Sequence, residues 1–443
     1  MNYNNINKQI IFTCLVIAFE FSITNVDFFF LEKVSYLASI GVSGLMALLY
    51  LSQYILTLFA QSMVTNATYF DLENKKEFSK HIGACILISI GITCIMALLF
   101  LTFKNNIINS FHISEGAKTY ASTYLTYMVP FLFLFGIQQY FTYVIYTLGL
   151  AKLNLLIIIL IVSLNTIFDY TSTQILHLGV AGIALASACS IICVLPIYYS
   201  ILAKHKVAPM FFAIDKELIK KLKIGMQKLG FYSFIEPVSH YALQFAMFIF
   251  ISLIAQEMMS GNTHAHNFLT FAITFSLACG IIIQIQIVKL YAKGRIANIK
   301  KLYANYLKIS LLFSLIISLI STIFIYFTID FYSSNNLVKK YIIICMLLGL
   351  FIEPMRALSI VSRSYLRGLQ YINFPLTVNL LGKIFIFLPL YYISVHFTNF
   401  GIFAILFLEG LSYLFYFMVN SIFLHWKIKE LEKKEKNNIK FSI

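Results

Sequence analysis

LNLLIIILIVSLNTIFDYTSTQIL, residues 153–176, is apolar for long enough to cross a membrane, yet it carries an amide and a carboxylate. A run of ~20 such residues, wound as a helix, spans the hydrocarbon core of a bilayer. Asn165 and Asp169 stand four residues apart, one helical turn along the same face. An ionised Asp at the bilayer centre costs roughly 2.5–3.5 kcal/mol on insertion scales, so an acid kept there marks a functional position and needs a partner. A hydrogen bond that merely staples helices is the structural alternative, but Asn alone would staple at lower cost.

The whole chain follows this stretch. Of its 443 residues 60% are hydrophobic and 12% charged, and mean hydropathy is +0.83. A soluble domain is about one-quarter charged, so the composition specifies an all-α polytopic membrane protein. Apolar spans fall near 9–31, 37–65, 82–103, 120–148, 153–176, 180–203, 225–256, 264–288, 305–330, 339–362, 372–397 and 399–426. That predicts twelve transmembrane helices, with no cleavable signal peptide. With the N-terminus inside, 24 of the 33 basic residues fall in inner segments, while the outer loops hold five: Lys33, Lys104, Lys118, Lys339 and Lys340. The positive-inside rule then places both termini in the cytoplasm and the chain in the cytoplasmic membrane. The net charge of +15 is thus an orientation signal, and nucleic acid is not an expected partner. The seven cysteines lie in apolar runs without a Cys-x-x-Cys and are expected as buried thiols, not as disulfide or metal ligands.

The most polar internal connection, 204–224, separates residues 1–203 from 225–426, six spans each, and a basic tail occupies 427–443. The halves share a frame. LGLAKLN (148–154) and LRGLQYIN (366–373) both close one long helix and open the next. Gly149 to Gly182 and Gly368 to Gly401 are equally spaced. Six spans per half make the repeats parallel, and in transporters built this way the ligand sites lie at or near the repeat interface.

NVDFFFLEKVSYLASIGVSG (25–44), NTIFD (165–169) followed by LGVAGIALAS (178–187), GFYSFIEPVSH (230–240), THAHNF (263–268) and YLRGLQYINFP (365–375) come in an ordered set. In that order the chain resembles the multidrug and toxic compound extrusion (MATE) transporters over nearly its whole length. The resemblance implies a V-shaped pair of six-helix bundles. It also implies export of small organic, often cationic compounds in exchange for H⁺ or Na⁺, with a cation site that maps onto Asp27, Asn165, Asp169 and Ser187. Three departures stand out. Residues 1–129 contain no proline, whereas many members bend the first helix about one. NATYFDLEN replaces the acidic glycine turn after the second helix. Arg356 stands where some members carry a cation-binding carboxylate.

Depth supports the same residues independently. Asp27, Asp169 and Ser187 each lie several residues inside the outer end of their span, ~6–12 Å deep at 1.5 Å per residue. Two carboxylates close together in low dielectric cannot comfortably both ionise, so such a pair holds a proton or a hard cation. In the second half the repeat frame puts Ile384 and Leu388 in place of Asn165 and Asp169. Glu20, seven residues before Asp27, and Glu236, beside Pro237, are further candidate carboxylates for protons or cationic substrate. Arg356, Lys383, Glu353 and Glu409 are expected in neutralising pairs, Lys383 with a carboxylate among them. The pair His264 and His266 is weak evidence for a metal, and no cofactor beyond the coupling ion is expected.

The function these readings support is a secondary antiporter, acting as a monomer in the lipid bilayer and not an enzyme. A flippase for lipid-linked or polysaccharide precursors, of the same wider superfamily, is the alternative; it fits twelve helices and few intramembrane bases less well. A major-facilitator protein would carry a Gly-x-x-x-Asp-Arg loop after the second helix, which is missing here. An embedded acyl- or glycosyltransferase would need a catalytic cluster and large loops.

Overall fold

The computed structural model describes residues 3–71, 74–211, 216–229, 231–292, 296–369, 371, 373–397 and 401–440. The elements in order are α1 (Tyr3–Val34), α2 (Tyr36–Asp71), α3 (Lys75–Thr102), α4 (Lys104–Asn109), α5 (Glu115–Tyr127), α6 (Val129–Thr147), α7 (Ala151–Tyr170) and α8 (Gly179–Lys204). Then come α9 (Lys216–Leu229), α10 (Phe231–Ile254), α11 (Gln256–Leu269), α12 (Thr274–Ala292), α13 (Ile296–Tyr332), α14 (Asn336–Gly368), α15 (Asn373–Gly382), α16 (Leu388–Phe397) and α17 (Ile402–Lys440). The described residues contain no strand, and ten of their helices are long and apolar enough to cross a membrane. This is an all-α polytopic membrane protein.

The spans expected at 120–148 and 264–288 are built differently. Pro130 sits at the start of α6. Because proline has no N–H to give the preceding turn, the helix restarts there and α5 stands apart. In the second case the helix begins earlier, at Gln256, and tightens to a 3₁₀ turn at Thr270–Ile273 before α12, so His264 and His266 lie inside α11. The span expected at 225–256 is α10, preceded by the separate basic helix α9.

Chain contacts form two compact units, residues 22–259 and residues 1–21 with 260–443. In the first, α2 packs against α3, α5, α6 and α10, and α8 against α6 and α7. Its core gathers Phe28, Leu31, Leu45, Tyr124 and Ile183. A polar belt ties three of its helices: the Tyr198 hydroxyl donates to Asn154 Oδ1 at 3.0 Å and lies 3.1 Å from Thr142 Oγ1. Asn154 Nδ2 in turn donates to the Tyr146 hydroxyl at 3.0 Å. In the second unit α14 packs against α12, α13 and α17.

The cysteines depart from the expectation of burial. Cys94, Cys189 and Cys193 are exposed on their helices, whereas Cys85, Cys279 and Cys345 are buried. A small apolar thiol meets lipid tails as readily as it meets a protein core, so its presence in an apolar run does not assign a face.

Candidate functional site

Helix α7 divides cleanly by face. Leu156, Leu160, Ile167 and Tyr170 are exposed, while Ile157, Ile161, Asn165 and Asp169 repeat every four residues along a buried ridge. The costly polar pair is therefore turned toward the protein, and two other helices meet it. Asp27 comes from α1 and Ser187 from α8, and both are buried.

One amide joins the two acids. Asn165 Nδ2 donates to Asp27 Oδ1 at 2.8 Å and to Asp169 Oδ2 at 2.9 Å. Ser187 Oγ donates to the other oxygen of Asp27, Oδ2, at 3.3 Å. The carboxyl groups of Asp27 and Asp169 also lie within hydrogen-bonding reach of each other. Both donors of the Asn165 amide are spent on carboxylates, an orientation that those acceptors select. Its Oδ1 and the Asp169 Oδ1 are buried with no hydrogen-bond partner. Since nearly all buried polar atoms are satisfied, these two oxygens beside two carboxyls are where a proton, a cation or a water would be held.

The backbone at this point is also unusual. Immediately after Asp169 the helix widens to a π turn over Thr171–Ile175, a feature frequent at functional sites. The Asp169 carbonyl accepts from the hydroxyls of Ser172 at 3.1 Å and Thr173 at 2.7 Å. Helix α8 approaches this turn at Gly182, where a Cβ would fall 2.7 Å from Ser172 Cβ. Its first residue, Gly179, has φ +58°, a conformation that L side chains rarely adopt. The glycine motif thus holds α8, and with it Ser187, against the π turn.

The four residues expected to form a cation site are brought together. Tyr124 of α5, which no sequence signal marked, is buried within electrostatic reach of both Asp27 and Asp169. Glu20 is not drawn into this cluster: it is half-buried on α1 and has no hydrogen bond or ion pair among the described residues. Glu236 lies on α10, and its side chain is outside the described ones. Glu353 pairs with Arg356 at 3.5 Å. Among the described residues no three His, Cys, Asp or Glu side chains converge as a metal site.

The fold and site together define a multi-pass α-helical membrane protein with a carboxylate pair enclosed within its spans. The MatE family model matches residues 13–171 and again 233–393, so the chain belongs to the MatE family of membrane transporters. The paired match places one copy of the repeat in each half. No curated protein sequence matches the chain. Among solved structures it is similar to an inward-facing multidrug resistance MATE family transporter of the MOP superfamily, with 14% identity, TM-score 0.80, and 93% of this chain and 95% of that one covered. An outward-facing structure of such a transporter matches with 16% identity, TM-score 0.70, and coverage of 97% and 96%. A MOP superfamily transporter from Pyrococcus furiosus, described as having a binding pocket of reverse polarity, matches with 16% identity, TM-score 0.72, and 96% of both chains covered.

Proposed function

We propose that the protein is a secondary antiporter of the cytoplasmic membrane that exports organic cationic or amphipathic compounds in exchange for H⁺ or Na⁺. The carrying observation is the enclosed pair Asp27 and Asp169, bridged by Asn165 and flanked by two unpartnered oxygens. Carboxylate, amide and hydroxyl oxygens are hard donors, suited to a proton or to Na⁺ and poorly suited to a soft metal. With the cation bound, Asp27, Asp169, Asn165 and Ser187 hold α1, α7 and α8 as one group. Without it, two facing carboxylates repel, and the packing of α1 on α7 loosens. Inward movement of one positive charge contributes about 2.3 kcal/mol per 100 mV, enough to bias such a two-state element. The excess of lysine and arginine in inner segments supports cytoplasmic termini.

The test is efflux of a fluorescent organic cation from proteoliposomes under an imposed H⁺ or Na⁺ gradient, for wild type, Asp27→Asn and Asp169→Asn. The reading expects one gradient to drive efflux in wild type and neither to drive it in the variants. Gradient-driven efflux at wild-type rate in both variants removes these residues from coupling. Absence of drive by either gradient in wild type removes the antiport reading.

A further inference from the structure

The second half lacks the carboxylate that some family members carry at position 356, but it encloses acids of its own beside Arg356. Helix α14 contains Pro354 in its interior. A proline there gives no N–H to the preceding turn and crowds the carbonyl four residues back, which weakens the helix at that level. Glu353 and Arg356 flank it. Glu353 is 2% exposed. Its Oε1 lies 3.5 Å from Arg356 Nη1, and its Oε2 is buried with no hydrogen-bond partner. Helix α17 is held tight at the same level, because a Cβ on Gly410 would lie 2.5 Å from the Phe351 ring. That approach delivers Glu409 and Tyr413. The Arg356 guanidinium stands 5.6 Å from the Tyr413 ring centroid, and the Tyr413 hydroxyl donates to Glu409 Oε1 at 3.4 Å. Glu353, Arg356 and Glu409 are all within electrostatic reach of one another.

Two carboxylates and one guanidinium leave one negative charge inside an apolar bundle. A buried charge without compensation is neutralised by a proton or a counter-ion. Among the described residues, the groups that bear on these acids from neighbouring elements include no base other than Arg356. His266 of α11 bears on Arg356, while Tyr391 of α16 and Cys345 of α14 bear on Glu409. Arg363 lies seven residues beyond Arg356, about 10 Å further along α14, and bears on Tyr413. Lys383 is buried on the π turn Lys383–Phe387 and bears on neither Glu353 nor Glu409.

We propose that Glu353, Arg356 and Glu409 form a second proton-binding site, in which Arg356 neutralises one carboxylate and a single proton neutralises the other. The step is formation of one O–H bond on a carboxylate oxygen, with the proton drawn from water and returned to it. The site stands on residues 260–443 alone and does not rest on the antiport reading.

Infrared difference spectra of the full-length protein in lipid, acidified minus alkaline, report the carbonyl stretch of protonated carboxylic acids. The Asp27→Asn/Asp169→Asn double variant silences the first site and is expected to keep a carboxylic-acid band. Adding Glu353→Gln or Glu409→Gln removes a component equal to one group, and loss in either variant locates the proton. Adding Arg356→Gln instead frees both acids and doubles that component. Thermal unfolding of each variant confirms that it is folded; if Glu353→Gln fails, Glu409→Gln and Arg356→Gln carry the test. A double variant without any such band overturns the proposal. So does a band whose amplitude is unchanged by Glu353→Gln, Glu409→Gln and Arg356→Gln alike.

Discussion

The amide of Asn165 reaches Asp27 at 2.8 Å across 138 residues of chain, and it is this contact that turns two isolated acids into one site. The same nitrogen holds Asp169 at 2.9 Å, so α1 and α7 share one donor group. Replacing Asn165 by Ala leaves both carboxyls without that donor. Stranding a buried polar group costs about 1–3 kcal/mol. The deficit is expected to shrink on acidification, because a protonated carboxyl donates to its neighbour and the amide is no longer needed. Thermal unfolding of Asn165→Ala and wild type across pH measures this, and a deficit independent of pH contradicts it.

Ser187 contributes one hydroxyl to Asp27 at 3.3 Å. Ser187→Thr keeps the oxygen and is expected to retain coupling. Ser187→Ala removes a hydrogen bond to the carboxylate, worth roughly 1.5–3 kcal/mol, and shifts apparent affinity for the coupling ion by about tenfold or more: weaker for Na⁺, which loses an oxygen ligand, and tighter for H⁺, because the ionised acid loses its donor. Dependence of efflux on H⁺ or Na⁺ concentration separates the two variants.

Gly182 permits α8 to lie against Ser172. Gly182→Val places side-chain atoms inside that contact, and overpacking of this kind costs about 1–3 kcal/mol. The variant is expected to unfold at lower temperature and to lose coupling, since displacement of α8 withdraws Ser187 from Asp27. A Gly182→Val protein with wild-type efflux and stability would mean that the close approach is dispensable.

Tyr198 serves as a control away from the acids. Tyr198→Phe removes the donor to Asn154 Oδ1 and the contact with Thr142. The expected loss is about 1–3 kcal/mol of stability, with ion dependence of efflux unchanged. A shifted ion dependence would show that this belt participates in coupling.

The sequence by itself determined the membrane class, the repeat and which acids lie inside the spans. Span length and the cost of charge in lipid are local quantities, read from composition along the chain, and the four-residue step from Asn165 to Asp169 puts both on one face whatever surrounds the helix. Only the tertiary structure decided what those faces meet. In a bilayer the lipid-facing and protein-facing sides of a helix are equally apolar, so hydrophobic pattern does not set its rotation. That is why Cys189 and Cys193 are exposed although they read as core, and why Tyr124 near both acids carried no mark. The π turn after Asp169 rests on side-chain hydroxyls competing for one carbonyl, a competition settled by how closely α8 packs at Gly182. Likewise Glu353 and Arg356 are legible as a pair one turn apart, but the addition of Glu409 required α17 to close on Phe351. Pairing between distant helices is a property of their packing, and no local pattern encodes it.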